Sequence, residues 1–579
     1  MKKRYLFTTI VLAITLAGCS TPAPASNNQS ADTASTKETV FDAEIKAEIE
    51  QAEAEEAEKE AAKSQRTLSS PIYKVITKYY SKYYDGSLKE DAEGNSLENK
   101  ELYSGKAQAL MLSDSSKESF PELYEALKES ADNVLNSAQS AADTAAATAK
   151  DDLESSVSGG YSFFGPYSDT NKISISRADD KVISFCSNYT AFSGGAHGIY
   201  GLEGTTYNVD TGEFIFLDDV ITLTEDELNQ ILIKKILETS TDPDQFWDLE
   251  ETLSHYKYNP SETDPNNSDN YEYAYIWYLD YTGIHFYFGP YAIAAYAYGP
   301  TDVVIGYDEL DGVINENYLP GDFKGFVSEA PLPVYSKEWD DDTSDLHLVI
   351  EKEDPNSEDS VCKSISLKEK TKSATADIYF DYSSDVLSTV TPYQVVTSDN
   401  KEFIYVTVLG MSDYTELLVF SVSDDDIKLV GRENFHMVYL DQDSGYAGEM
   451  VLTDPNDLHF GKVGDKLGTY TCFAKYKVGP DGMPVMVDKD FTISWTSDDI
   501  KSKKEIKATI VDEDGKELSE ETLPAGTHVK PVRTDNSKYV DCNLDDGRIV
   551  RFKISNGTVP AEIDGVSVDD LFDGLQYAG

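Results

Sequence analysis

Positive charge is scarce in this chain of 579 residues: 49 lysines and arginines stand against 105 aspartates and glutamates, a formal net charge of −56. Such a surface repels phosphate backbones, which excludes nucleic acid as a partner. It attracts cations and basic proteins, and it keeps the chain solvated. Cysteine is nearly absent, five in all, and no two form a CxxC pair for zinc or redox work. No H-E-x-x-H, G-x-S-x-G, P-loop or dinucleotide fingerprint occurs, so the sequence implies no cofactor and no catalytic residue. After residue 17 no stretch approaches the roughly 18 apolar residues of a membrane-spanning helix.

What is present begins at the N-terminus. Lys2, Lys3 and Arg4 precede an apolar run from Tyr5 to Ala17, and Leu16-Ala17-Gly18-Cys19 closes it. The run is shorter than the roughly 20 residues a spanning helix needs, so residues 1–19 are expected to be a signal peptide. The closing tetrapeptide resembles the bacterial lipobox. That resemblance implies a diacylglyceryl group on the Cys19 thiol, a palmitate-bearing anchor, and a place on the outer face of a cell membrane. The other four cysteines, Cys186, Cys362, Cys472 and Cys542, are left as either two disulfides or buried small hydrophobes.

A chain of this length is expected to hold two to four domains, at roughly 150 residues each. Residues 20–66 lack a sustained apolar pattern and are expected to be a disordered tether followed by an acidic helix. A first folded unit is expected over 67–320. Strands are predicted at Pro71–Tyr84 and Glu101–Leu112, and a helix at Phe120–Ser155 with Pro121 in its first turn. Tyr207–Leu217 has a hairpin's alternation around Asp210-Thr211-Gly212. Thr224 and Glu227 form a capping box for a helix over Leu223–Leu237. Residues 334–500 carry strand after strand, as do 504–579.

Two strings in the first unit carry more than periodicity. One is Phe192-Ser193-Gly194-Gly195-Ala196-His197-Gly198, leading to Tyr207-Asn208-Val209-Asp210-Thr211-Gly212-Glu213. The other runs Gly283-Ile284-His285-Phe286-Tyr287-Phe288-Gly289-Pro290-Tyr291-Ala292-Ile293-Ala294 and ends at Gly299-Pro300. Together they resemble the extracytoplasmic module of RsiV-type anti-sigma factors, which also precedes the catalytic domain of PdaC-type peptidoglycan deacetylases. The resemblance covers about residues 67–318. It implies an α+β binding module, an antiparallel sheet with packed helices, outside the cell. It implies a lysozyme-like protein or peptidoglycan as ligand and no enzymatic activity. The alternative is an accessory or catalytic component of a cell-wall-modifying enzyme. Neither a sigma-binding helix nor a deacetylase domain is expected in this chain. The last 75 residues, with Leu523-Pro524-Ala525-Gly526-Thr527 and Asp546-Gly547-Arg548, resemble a bacterial SH3-like domain, which implies a small β barrel.

The ligand-binding candidates follow from these strings. Gly194 and Gly195 permit positive φ, which leaves His197 and Tyr200 at the tip of a loop. The competing role for His197 is to pin that loop through a backbone carbonyl. Tyr287, Tyr291, Tyr296 and Tyr298 offer flat rings suited to sugars, although a half-buried strand uses tyrosines in the same way. His255 and His285 are too distant in sequence to argue a metal triad. Asp512, Asp514, Gly515 and Glu521 mimic part of a calcium loop, but Ile510 occupies its first ligand position. The two strings are expected to lie side by side in one antiparallel sheet or at its rim. Gly194, Gly195, His197, Tyr200, Tyr291 and Tyr296 are then the binding set.

Overall fold

The computed structural model describes residues 66, 68, 70–240, 242–260, 272–321, 324–330, 332–336, 345–354, 362–378, 390–409, 414–440, 447–495, 500–556 and 559–577. The expected signal peptide, Cys19, and the expected tether and acidic helix up to residue 65 lie outside them.

The first unit forms around one crossover. Strands β1 (Tyr73–Tyr83) and β2 (Glu101–Leu112) pair antiparallel, and helix α1 (Pro121–Gly159) then carries the chain over to β3 (Tyr167–Ala178), which runs parallel to β2. A parallel neighbour demands a long crossover, and α1 supplies it. Pro121 starts the helix where its missing N–H costs nothing. Gly160 ends it at φ +68°, with Tyr161 N–H donating back to the Ser156 carbonyl. Leu123, Leu127, Ala131, Leu135, Ala142, Ala149 and Leu153 form the buried stripe, the alanines letting the helix lie close on the sheet. Antiparallel strands β4 (Val182–Phe192) and β5 (Ile199–Asn208) complete that side.

A second, three-stranded sheet follows, made of β6 (Ile276–Leu279), β7 (Gly283–Phe288) and β8 (Thr301–Gly306). Period-two alternation gives it an apolar face, with Leu279, Ile284, Phe286, Phe288, Val303 and Ile305. That face packs on helix α2 (Glu225–Thr239) through Leu228, Leu232 and Ile236. Thr224 caps α2 with Glu227 reaching back. The two sheets are stitched together where Leu279 N–H donates to Ser184 Oγ at 2.9 Å and Ser176 Oγ–H donates to the Leu279 carbonyl at 2.7 Å. Gly204 is required here, because a Cβ would sit 1.9 Å from the Trp277 carbonyl oxygen.

From Gly325 onward the chain is almost all strand. One long sheet meanders through Val390–Thr397, Glu402–Leu409, Tyr414–Val422 and Ile427–His436, continues through Leu458–Gly464, Tyr470–Val478 and Phe491–Trp495, and passes on into the C-terminal strands. One core cluster runs from Val327 to Phe572, and a second, including Leu348, Ile365, Ile404 and Phe420, lies within 348–427. The hairpin Val438–Leu440 and Ala447–Met450 leaves this sheet and pairs with β1, so the first sheet has seven strands.

Two expectations are corrected. The protein is mostly β, 48% strand against 19% helical, rather than α+β, and among the described residues there is no closed barrel. Among the described residues after 325, the only α-helical segment is the single turn Val568–Leu571, so α1 and α2 are outweighed by strands. The SH3-like closure fails for a visible reason. Val529–Thr534 gives its outer edge to Phe491–Trp495, while among the described residues Glu517–Leu523 pairs only with Ile506–Val511 and ends the sheet. Glu517, Glu520 and Glu521 charge that free edge, which discourages further pairing. Cys186, Cys362, Cys472 and Cys542 are free and buried in separate places, so they serve as small hydrophobes.

Candidate functional site

The two strings meet. Strand β5 is the edge of the seven-stranded sheet, and the segment after β7 folds back to its first residues. They belong to different sheets, so contact is made at the rim of the larger one. Gly194 and Gly195 turn the β4–β5 loop at φ +81° and +101°. Gly194 also needs its lack of a side chain, since a Cβ would lie 3.2 Å from Tyr167 Oη and 3.4 Å from the Phe164 carbonyl. Beside Gly195 there is open space, and only its φ calls for glycine.

Tyr296 is the centre of the cluster. Its ring stacks on His197 at 4.4 Å between centroids and 28° between planes. Tyr200 meets it edge-on at 5.7 Å, and Tyr291 tilts against it at 5.5 Å. Tyr296 Oη–H donates to the Gly198 carbonyl at 3.0 Å, and His197 Nδ1 lies 2.9 Å from the same oxygen. Each contact of this kind is worth about 0.5–1.5 kcal/mol beyond burial. His197 and Tyr291 are nonetheless exposed, the latter by 56%. Tyr291 also sits at φ +66°, a left-handed conformation costing a side-chain-bearing residue about 1–2 kcal/mol. The segment behind it is held by buried Ile293 and Ala294, with Trp247 N–H donating to the Ile293 carbonyl at 3.0 Å. All six candidates therefore lie in one place: Gly194 and Gly195 shape the loop, and the four rings cluster. Tyr298 is exposed beside them in sequence, whereas Tyr287 is buried in β7.

Sequence reasoning missed a second group close by. His285, set aside as too distant in sequence from other histidines for a metal triad, lies between two carboxylates on the three-stranded sheet. Its Nδ1 is 2.9 Å from Asp302 Oδ2 and its Nε2 is 3.0 Å from Asp280 Oδ2. The second contact has the distance of an ion pair but not the angle of a hydrogen bond. Tyr278 stacks on the imidazole at 4.4 Å and donates its hydroxyl to Asp302 Oδ2 at 2.7 Å. Burial alone would lower the proton affinity of His285, but Asp280 and Asp302 outweigh it and raise the pKa to about 9. Asp280 is correspondingly held below the usual carboxylate range, burial being overcome by His285. The signal was in register: positions 278, 285 and 302 fall on one face once β6, β7 and β8 are aligned. Tyr287 joins this group to the cluster, its phenol pushed up to about 12 by burial, with Tyr189, Tyr200 and Asp302 adding to the effect.

Chemically the two groups differ. The imidazolium of His285 lies between its own carboxylates, Nδ1 bonded to Asp302 and Nε2 at ion-pair distance from Asp280, which makes it a clamp. Among the described residues no group of three or more His, Cys, Asp or Glu side chains is arranged to hold a metal ion. Burial pushes the nearby Cys186 thiol well up, so it stays protonated. The His197 cluster instead offers exposed ring faces on a pinned loop, a surface suited to stacking.

Residues 215–308 match the family model described as "Protein of unknown function (DUF3298)". That span includes Tyr291 and Tyr296 but not the His197 loop. No curated protein matches the chain. Among solved structures, a member of the DUF3298 family from Bacteroides fragilis is 16% identical, covering 44% of this chain and 96% of its own, with a TM-score of 0.33. A DUF3298 family protein from Pseudomonas aeruginosa is also 16% identical, covering 43% and 97%, with a TM-score of 0.28.

Proposed function

We propose that this protein is a surface lipoprotein, held to the outer face of a cell membrane through a diacylglyceryl group on Cys19, that binds an envelope ligand at the rim formed by His197, Tyr200, Tyr291 and Tyr296. The ligand class follows from the resemblance to the RsiV and PdaC modules: a lysozyme-like protein or peptidoglycan. A match to a family of unknown function over residues 215–308 is compatible with that finer assignment. One observation carries the binding reading. Two strings nearly 100 residues apart converge on one ring cluster, Tyr296 Oη reaching the Gly198 carbonyl with a sequence separation of 98. Its exposed Tyr291 ring is held at a backbone angle that stores strain rather than relieving it.

Two measurements test it. Labelled palmitate is taken up by the wild-type chain in a bacterial host and not by Cys19→Ser, which is released from the membrane. Calorimetric titration of the mature chain with lysozyme and with soluble muropeptides gives saturable heat for one of them. Silence with both removes the ligands named here, and turnover of a muropeptide in place of binding moves the assignment to a wall-modifying activity.

A further inference from the structure

A groove of about 640 Å³ opens at the opposite end of β5, between α1 and the hairpin that follows the strand. Ile199 and Tyr207 are eight residues apart along an extended strand, so this groove lies roughly 26 Å from the His197 cluster. None of its lining residues belongs to that cluster.

Its construction is specific. The wall on one side is Glu129 of α1, and on the other are Glu213 and Asp219. Phe214, Phe216 and Tyr318 supply aromatic surface between them, half-buried and so still open to the cavity. Phe216 meets Phe214 edge-on at 4.9 Å, and Phe214 in turn stands edge-on to buried Tyr207 at 5.8 Å, which fixes the rings. Burial raises the Tyr318 phenol, and the negative charges of Asp219 and Glu213 add to the rise. Among the described residues no lysine or arginine lines the groove. Two cations of adjoining segments are engaged elsewhere, Arg66 with Asp210 at 2.8 Å and Lys181 Nζ with the Leu319 carbonyl at 2.7 Å.

Carboxylates around an aromatic floor form the general receptor for an ammonium or guanidinium group, since the ring faces and the anions attract the same charge. A second depression follows the same stripe of α1, past Asn136, Ser140, Asp143 and Ala147 to Asp151. From Ala126 to Asp151 the lane is roughly 38 Å long at 1.5 Å per residue. That is the length of an extended peptide segment and far beyond a single small cation. The net charge of −56 steers basic chains toward it.

We infer that this groove takes a lysine or arginine side chain of a basic protein, the flanking chain lying along α1. The site is separate from the His197 cluster and stands whether or not that cluster binds glycan or protein.

The test is calorimetric titration of the mature chain with an oligolysine peptide and with the same peptide acetylated on every side-chain amine. The charged peptide binds, the acetylated one does not, and affinity falls with added salt. The double variant Glu129→Gln/Glu213→Gln binds at least about tenfold more weakly, and Phe216→Leu weakens binding by a few-fold with the salt dependence unchanged. Thermal melting confirms that each variant is folded. An equally acidic exposed pair elsewhere, Asp424→Asn/Asp425→Asn, leaves the affinity unchanged. Equal binding of the acetylated peptide overturns the proposal. So does an equal loss in the Asp424/Asp425 variant, which would mean a diffuse field and no site. Loss of oligolysine binding in Tyr291→Ala would overturn the separation of the two sites.

Discussion

Raising the pH should loosen the three-stranded sheet through one residue, His285. The imidazole has an ordinary value near 6.5 and is lifted to about 9 between Asp280 and Asp302. A pKa raised on folding contributes stability that is complete below 6.5, shrinks as pH climbs, and is gone above about 9. Each tenfold change in proton affinity is worth about 1.4 kcal/mol, so the full effect is about 3 kcal/mol. The carboxylate of Asp302 is 39% exposed, and solvent screening brings the expected loss nearer 2 kcal/mol. Asp280 works in the other direction: its lowered pKa contributes stability above its ordinary value near 3.8, which is lost as pH falls through the folded value. The clamp is therefore strongest between about pH 4 and 6.5. The assay is denaturant unfolding of the wild type and His285→Gln at pH 5.5, 6.5, 7.5 and 9.5, read by hydrogen exchange in β7. The difference between the two proteins should be largest at pH 5.5 and 6.5 and close to zero at 9.5. Parallel profiles from pH 6.5 to 9.5 would refute the argument, because other titrating groups cancel in the difference.

Three further outcomes follow from packing. Arg177 is fully buried and donates to Asp179 at 2.7 Å, to Tyr307 Oη at 3.0 Å and to the Tyr318 carbonyl at 2.7 Å. Arg177→Met should cost about 3–5 kcal/mol, since it strands a carboxylate, and Asp179→Asn added to it should recover part of the loss in urea melts. Gly204→Ala should cost about 1–3 kcal/mol by pushing β6 off β5, seen as a lower melting temperature. Tyr291→Gly should be about 1 kcal/mol more stable than Tyr291→Ala, because both lose the ring but only glycine is at ease at φ +66°; equal stabilities in thermal melts would mean the angle stores nothing.

Local order was legible in the sequence where local chemistry decides it. Pro121 and the leucine spacing marked α1, which runs on to Gly159 because Gly160 stops it four residues beyond the expected Ser155. The Thr224 capping box and the turn at Asp210-Thr211-Gly212 formed as the residue types dictate. Pairing between distant segments was not legible. Nothing in residues 438–450 announces that they join β1, because a strand's partner is set by which edge is free and not by its own composition. The open end of the C-terminal sheet has the same cause, an edge claimed by Phe491–Trp495. Around the site, glycine and tyrosine content pointed to the two strings. His285 was passed over because its aspartates stand five and seventeen residues away and come together only through strand register.

The central claim is that the His197 cluster binds and does not merely hold the loop, and His197→Ala tests it most directly. The mature wild-type chain and the variant are titrated in parallel with whichever of lysozyme or muropeptide binds the wild type, and each is melted thermally. His197 is exposed and its ring contact with Tyr296 is a surface one, so the account predicts a melting temperature within a few degrees of wild type. It predicts an affinity weaker by roughly two- to tenfold, the loss of one stacking partner in a small ring cluster. A variant that binds as the wild type does, or that loses binding only as it unfolds at a much lower temperature, contradicts it.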